Sequence, residues 1–186
     1  MEGPIVKAEV MEVRGLLVER LERRMEASEV PFHPDFKAGC ESCPMRGRNF
    51  ACPPMSPMLT DYVRGASKAT VIAYRTPMEQ FRANVIMEER YFEAYHMMQE
   101  LLAEELLTHR KRGRIVAGSG PCRACKECAL AAGEAECRMP EMMIYSLESM
   151  GVSVVQLSEV AFGITLEWSG MEQGADYVSA IGAVFD

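Results

Sequence analysis

The spacing of apolar residues predicts a helix near the start of the chain. Five apolar side chains recur at helical intervals between residues 10 and 26, with charged residues between them: Val13, Leu16, Leu17, Leu21 and Met25. This pattern is typical of an amphipathic helix that packs one face against a core.

A longer helix is predicted in the middle of the chain, from about Pro77 to His109. Seven apolar side chains fall on one stripe in steps of three, four or seven residues: Phe81, Val85, Phe92, Tyr95, Met98, Leu102 and Leu106. Lys111-Arg112-Gly113 predicts where it ends, because cations favour the C-terminal pole of a helix and glycine stops it. A short helix is expected from Ser56-Pro57 to about Arg64, with the serine as its cap.

Apolar and β-branched runs predict the strands of a small sheet. The four candidate strands are Ala69–Tyr74, Arg114–Ala117, Val152–Leu157 and Tyr177–Phe185. Strands that alternate with helices favour an α/β fold. We therefore expect residues 1–186 to form one layered domain, with a small central sheet flanked by helices and cysteine-rich loops near one end.

Charge and cysteine content narrow the chemistry. The net charge of −7 argues against nucleic acid as the main partner, and no apolar stretch is long enough to span a membrane. The first residues have no apolar signal-peptide core, so we expect a cytoplasmic protein. In a reducing compartment, seven cysteines in close groups are more often metal ligands or redox groups than disulfides.

The second cysteine group carries the strongest chemical signal. Cys122, Cys125, Cys128 and Cys137 form the pattern C-x2-C-x2-C-x8-C. Three thiolates at two-residue gaps suit three corners of a [4Fe-4S] cluster, as in bacterial ferredoxins, and the fourth cysteine closes the last corner. Zinc more often takes two separated C-x2-C pairs, and it stays as an alternative, together with unliganded thiols.

Basic residues accompany this second group. Arg123, Lys126 and Arg138 lie close in sequence to its cysteines, and they either offset the charge of an anionic cluster or are simply solvated. The sequence does not separate these two roles.

The first cysteine group has only three members, Cys40, Cys43 and Cys52, in the pattern C-x2-C-x8-C. A metal held there needs a fourth ligand from elsewhere. The favoured interpretation is a second cluster with an open iron, because an open coordination position marks a reactive metal site. Two other interpretations remain open. One is a zinc ion bound by the three cysteines with His33 as the fourth ligand, and the other is that these cysteines bind no metal.

Residues around the first group suggest a bound anion. Arg46, Arg48 and Asn49 lie inside its loop, where they either grip a small anionic ligand or compensate cluster charge. His96 and His109 lie on the long predicted helix and are expected to serve packing or the surface.

Taken together, the motifs resemble a family of predicted metal-binding proteins, domain of unknown function 2284, found largely in anaerobic archaea and bacteria. The resemblance extends over all seven cysteines, over Gly120-Pro121 before Cys122, and over the S-x-E-x2-G segment formed by Ser146, Glu148 and Gly151. It implies metal binding in an anaerobe's cytoplasm, without an established reaction. In that segment we expect the serine to cap a short helix ended by Gly151, and Glu148 to support a loop.

Three functions remain open from the sequence. One is electron transfer to a redox protein or enzyme partner, chosen partly by the acidic surface. Another is an enzyme or metallocofactor accessory protein that binds a small anionic ligand at the three-cysteine site. The last is a zinc-binding structural or interaction module without redox activity.

Overall fold

The computed structural model describes residues 6–81, 86–168 and 174–186. Its centre is a five-stranded antiparallel sheet with the strand order β1-β2-β3-β5-β4. The strands are β1 (Lys7–Val13), β2 (Leu16–Glu26), β3 (Lys68–Pro77), β4 (Ile115–Ala117) and β5 (Tyr177–Phe185). Three of the four predicted strands, those now named β3, β4 and β5, are confirmed.

Helices cover both faces of this sheet. The α-helices are α1 (Leu59–Tyr62), α2 (Met87–Lys111) and α3 (Val154–Phe162), and the 3-10 helices are Ala27–Glu29, Pro34–Cys40, Met78–Gln80 and Glu148–Met150. Side chains alternate along β3, so that Ile72 and Tyr74 join the half of the core under α2. Val71 and Ala73 join the half under α3. The predicted α/β architecture, a small sheet flanked by helices, is confirmed.

The helix predicted for residues 10–26 is wrong, because this segment forms the β1–β2 hairpin. Arg14 and Gly15 both have positive φ, at 53° and 79°, as a two-residue hairpin turn requires. The apparent helical spacing arises because β2 is buried on both faces. Val18 faces the α2 half of the core, whereas Leu21 and Met25 face the α3 half.

The strand predicted for Val152–Leu157 is also wrong, because most of it belongs to α3. Ser153 caps this helix, with its Oγ accepting a hydrogen bond from the Gln156 N–H at 3.3 Å, and Gly163 ends it at φ 68°. Val154 and Leu157 are buried on the same helix face, three residues apart. The β-branched residues Val152, Val154 and Val155 in this segment are typical of a strand, which explains the wrong prediction.

The predicted end of α2 is confirmed at Lys111, but its start lies at Met87 instead of Pro77. β3 continues to Pro77 and a 3-10 helix follows it, so Phe81 precedes α2. Val85 lies outside the described residues, and Phe92 is 45% exposed. Within the described part of the chain, no helix combines the length and apolar character that crossing a membrane requires.

The short helix predicted after Ser56 is α1, but Ser56 is not its cap. Met58 occupies the N-cap position, and the buried Ser56 hydroxyl instead donates to the Ser149 carbonyl at 2.7 Å. This contact ties the first cysteine loop to the 3-10 helix Glu148–Met150.

Candidate metal centre

The second cysteine loop leaves the sheet at the end of β4 and is closed at its base. The Gly118 N–H donates to the Tyr145 carbonyl at 2.8 Å, and the Leu147 N–H donates to the Gly118 carbonyl at 2.9 Å. All four cysteines lie between these contacts and are partly exposed: Cys122, Cys125, Cys128 and Cys137.

Helix α2 fixes the start of this loop. Gln99 donates through Nε2 to the carbonyls of Ser119 and Pro121, at 2.6 and 2.9 Å. Gly120 has φ 63°, and a Cβ there would lie 2.7 Å from the Tyr95 hydroxyl, so this position requires glycine. The chain therefore approaches Cys122 along a path set by buried contacts to α2.

The first cysteine loop is a succession of turns. The 3-10 helix Pro34–Cys40 leads into it, the Cys43 N–H donates to the Cys40 carbonyl at 3.3 Å, and the Cys52 N–H donates to the Asn49 carbonyl at 2.9 Å. The three cysteines of this loop differ in solvent exposure: Cys43 is exposed, Cys40 is half-buried and Cys52 is buried.

The two loops meet, although they are distant in sequence. The buried Asn49 side chain donates through Nδ2 to the Cys122 carbonyl at 2.9 Å, and its Oδ1 accepts from the Ala51 N–H at 3.0 Å. Both polar ends of Asn49 are thus used within the protein. Asn49 therefore joins the two loops. It is not available to bind an anion, which was one of the two roles that the sequence suggested for it.

Electrostatics also connect the thiols of the two loops. Burial, followed by the charges of Cys43, Cys40, Cys122 and Cys128, raises the pKa of Cys52 to about 12. Burial likewise raises the pKa of Cys40, helped by the charges of Cys43 and Glu148. At neutral pH these two thiols keep their protons unless a cation arrives, so metal binding here releases protons.

A cleft of about 560 Å³ lies between the loops. Pro44, Met45 and Arg48 line it from the first loop, and Cys122, Cys125 and Cys128 from the second. Its volume is in the range of small-molecule sites.

Three cations surround this cleft. Arg48, Arg123 and Lys126 line it, and their side chains form no hydrogen bond or ion pair with another described residue. Arg138, by contrast, is paired through Nε with both carboxylate oxygens of Glu134, at 3.0 Å each. Glu127 also lines the cleft, so three cations and one carboxylate lie there beside the cysteines, and positive charge is in excess.

The histidines contribute little to this site. The His33 side chain is 59% exposed, and its Nδ1 accepts from the Asp35 N–H at 3.3 Å, where it caps the 3-10 helix. His96 and His109 lie on α2, as predicted. His33 therefore has a structural role that competes with the predicted role of zinc ligand.

Glu148 is the residue whose importance the sequence understated. Its Oε2 is buried and has no hydrogen-bond partner among the described residues, and its 3-10 helix packs against the 3-10 helix that ends at Cys40. Gly151 ends the short helix at φ 89°, as expected, but Leu147 and not Ser146 occupies its N-cap position. Ser146 Oγ instead accepts a hydrogen bond from the Ser149 N–H at 3.1 Å.

The donor set suits a soft or borderline metal, because thiolates dominate it. Among residues 6–81, 86–168 and 174–186, no three His, Cys, Asp or Glu side chains are arranged to hold a single metal ion. The choice of individual ligands therefore depends on cysteine spacing, on the meeting of the two loops and on family membership.

The family model described as "Predicted metal-binding protein (DUF2284)" matches residues 23–185. The chain belongs to this family. Both cysteine loops and the S-x-E-x2-G segment lie within the match, which confirms the resemblance drawn from the motifs. Membership supports a metal cofactor without specifying iron or zinc. No curated protein and no solved structure matches the chain.

Proposed function

We propose that this member of the family is an iron–sulfur protein that acts in electron transfer or as a redox or metallocofactor accessory protein. One [4Fe-4S] cluster would be held by the four cysteines of the second loop. A second would be held by Cys40, Cys43 and Cys52. The observation that carries the proposal is the meeting of both cysteine loops at one cleft.

When bound, such a cluster supplies a site that accepts and releases one electron at a time. The electron would come from one redox partner and leave to another, without transfer of a proton or an atom. The net charge of −7 favours partners with a basic docking surface.

The chain's own residues would tune and guard this centre. Arg48, Arg123 and Lys126 would offset the negative charge of thiolate-bound clusters and attract a small anion into the cleft. The buried Asn49 would hold the two loops at a fixed separation. A three-cysteine site leaves one coordination position for a ligand other than a cysteine.

Single cysteine variants test the two-cluster assignment. Cys125→Ser and Cys43→Ser would be reconstituted with iron and sulfide without oxygen, beside Ser42→Ala as an exposed neighbour control. After reduction, the wild-type protein should give two signals in electron paramagnetic resonance, one from each cluster. Cys125→Ser should lose the signal of the second-loop cluster, Cys43→Ser should lose that of the first-loop cluster, and Ser42→Ala should keep both. Identical spectra for all three, or zinc without sulfide, would contradict the proposal, and the second result would favour a zinc-binding module.

Anion binding needs its own test. Citrate titrated into the reduced wild-type protein should shift the signal that Cys43→Ser loses. Arg48→Gln and Arg123→Gln should weaken this response, whereas Arg112→Gln, an exposed residue at the end of α2, should not. If citrate leaves the spectrum unchanged at all concentrations, the anion site is wrong and a simple electron carrier is the better account.

A further inference from the structure

The Glu148 carboxylate carries an unexplained buried atom. Its Oε2 is shielded from solvent and has no hydrogen-bond partner in the part of the chain that the structure describes, although other atoms of the residue keep some exposure. A buried carboxylate oxygen without a partner is costly, and such atoms in native proteins usually mark an absent water or ion, or a reactive group.

Burial raises the pKa of this carboxylate, and three neighbouring groups act against that shift. These groups are the backbone N–H groups of Glu148 and Gly120 and the Ser146 hydroxyl. Gly120 lies two residues before Cys122, so the carboxylate is close to the second cysteine loop. Its charge also acts on Tyr95, which contacts Ser119 in the same loop.

The 3-10 helix that carries Glu148 also contacts the first cysteine loop. The 3-10 helices Glu148–Met150 and Pro34–Cys40 pack together, and the Glu148 charge contributes to the raised pKa of Cys40. Ser56 holds the far end of the first loop to Ser149, and the His33 N–H donates to the Gly151 carbonyl at 2.9 Å. The segment that carries Glu148 thus fastens the three-cysteine loop at both of its ends.

We propose that Glu148 is the fourth protein ligand of the metal centre formed by Cys40, Cys43 and Cys52, bound through the orphaned Oε2. This inference rests on the proposed function, since it needs a metal at the first loop. Carboxylate oxygens ligate both iron and zinc. A hard oxygen ligand beside three thiolates makes one metal site unlike the others and the easiest to exchange for an incoming anion.

Glu148 meets the needs of this ligand better than His33. Its free atom is buried, and its 3-10 helix packs against the one that ends at Cys40, whereas His33 Nδ1 already accepts a hydrogen bond in a largely exposed cap. A bound cation would also compensate the negative charge that Glu148 carries when it is ionised, and no cation among the described residues pairs with it.

Glu148→Gln tests this assignment because it preserves size and hydrogen bonding but makes a poor metal ligand. The matched control is Glu159→Gln, an exposed residue on α3 that loses the same charge. Both would be reconstituted with ⁵⁷Fe under anaerobic conditions, beside wild type and Cys43→Ser. Mössbauer spectra should show one oxygen-ligated iron site in wild type and Glu159→Gln, altered in Glu148→Gln and absent in Cys43→Ser.

Iron release to a chelator gives a second readout. Iron of the first site should leave Glu148→Gln roughly tenfold faster than Glu159→Gln, a typical effect of a weakened metal shell, while iron of the second site leaves at an unchanged rate. Circular dichroism would establish that the variant is folded.

The outcomes separate this inference from the proposed function. A wild-type protein with two centres, together with an unchanged spectrum and release rate in Glu148→Gln, would overturn only the role of Glu148. A first loop that takes up no metal in wild type would overturn both. If zinc occupies the first loop, an X-ray absorption spectrum with three sulfurs and one oxygen, lost in Glu148→Gln, would uphold the role of Glu148 alone.

Discussion

At the scale of single residues, the site depends on buried polar contacts that cannot be predicted from the sequence motifs. The sequence placed Asn49 among candidate anion ligands because it lies between Cys43 and Cys52. In the fold it is 2% exposed and bonded at both ends of its amide. Its partner, the Cys122 carbonyl, lies in a loop far along the chain, so local spacing contained no indication of this contact.

We expect Asn49→Ala to loosen both centres. The change leaves the Ala51 N–H and the Cys122 carbonyl without their partner, a cost of about 1–3 kcal/mol concentrated at the junction of the loops. Iron release to a chelator should accelerate for both signals of the reconstituted protein.

Ser56→Ala is the matched comparison, because it also removes one buried hydrogen bond but fastens only the first loop. It should accelerate release from the first centre alone. Equal effects of the two variants on both centres would refute a specific coupling through Asn49.

At the scale of elements, continuous apolar runs were the most dependable guide. β3 and β5 are central strands with both faces buried; β5 is apolar almost throughout, and β3 has an apolar run at its centre. The hairpin was missed because Val18, Leu21 and Met25 imitate a helix, although Gly15 within the predicted helix was an available turn signal. For α3, the available signals were its cap Ser153 and its stop Gly163.

The contact of Glu105 with the sheet predicts how the stability of the fold depends on pH. On α2, Glu105 accepts from Arg20 Nε of β2 at 2.9 Å and from the Tyr74 hydroxyl of β3 at 2.7 Å. Burial acts to raise the pKa of Glu105, but these two partners outweigh it and hold that pKa below its ordinary value of 4.5. The folded state therefore favours the ionised carboxylate, and this stabilisation is present above pH 4.5 and lost as the pH falls through the lowered pKa.

Glu105→Gln should cost about 2 kcal/mol near neutral pH, because it weakens charge-assisted hydrogen bonds that dock α2 on the sheet. Urea unfolding at a series of pH values would measure this. The difference from Glu104→Gln, an exposed neighbour on α2, should shrink below pH 4.5. A difference that is constant from pH 7 to pH 3 would show that ionisation of Glu105 contributes nothing to stability.

At the scale of the whole molecule, the candidate metal loops are additions to a core that does not include them. Within the described ranges, the two halves of the core are formed mainly by side chains of the sheet, α2 and α3, with additions from α1, 3-10 helices and loops, and neither half contains a cysteine. A chain of this size buries enough surface to fold without metal staples.

Metal removal should therefore leave most of the fold intact. After treatment with a chelator under reducing conditions, circular dichroism should retain most of its helix and strand signal, while the cysteine loops become sensitive to protease. A collapse of the whole signal would instead identify the metals as structural staples, as in a zinc module.

The resemblance drawn from the cysteine spacing and the neighbouring motifs predicted the family, which is confirmed. Cysteine spacing also supplied the candidate ligands, which stay a prediction, because ligand spacing is a local property of the chain. The meeting of the two loops was only an expectation, and the cleft between them and the orphaned carboxylate of Glu148 were not foreseen. These features depend on how Asn49, Gln99 and Ser56 fasten loops to distant elements. Such contacts are set by tertiary packing and leave no periodic pattern in the sequence.

The central claim, that this family member holds iron–sulfur clusters, is tested most directly by its metal and sulfide content. The full chain would be purified without oxygen and analysed for iron, zinc and acid-labile sulfide per chain. The account predicts about eight iron and eight sulfide, from two clusters of about four each. About four of each would leave one cluster, at the second loop. Substantial zinc with no sulfide would contradict the claim and leave a metal-stapled binding module in its place.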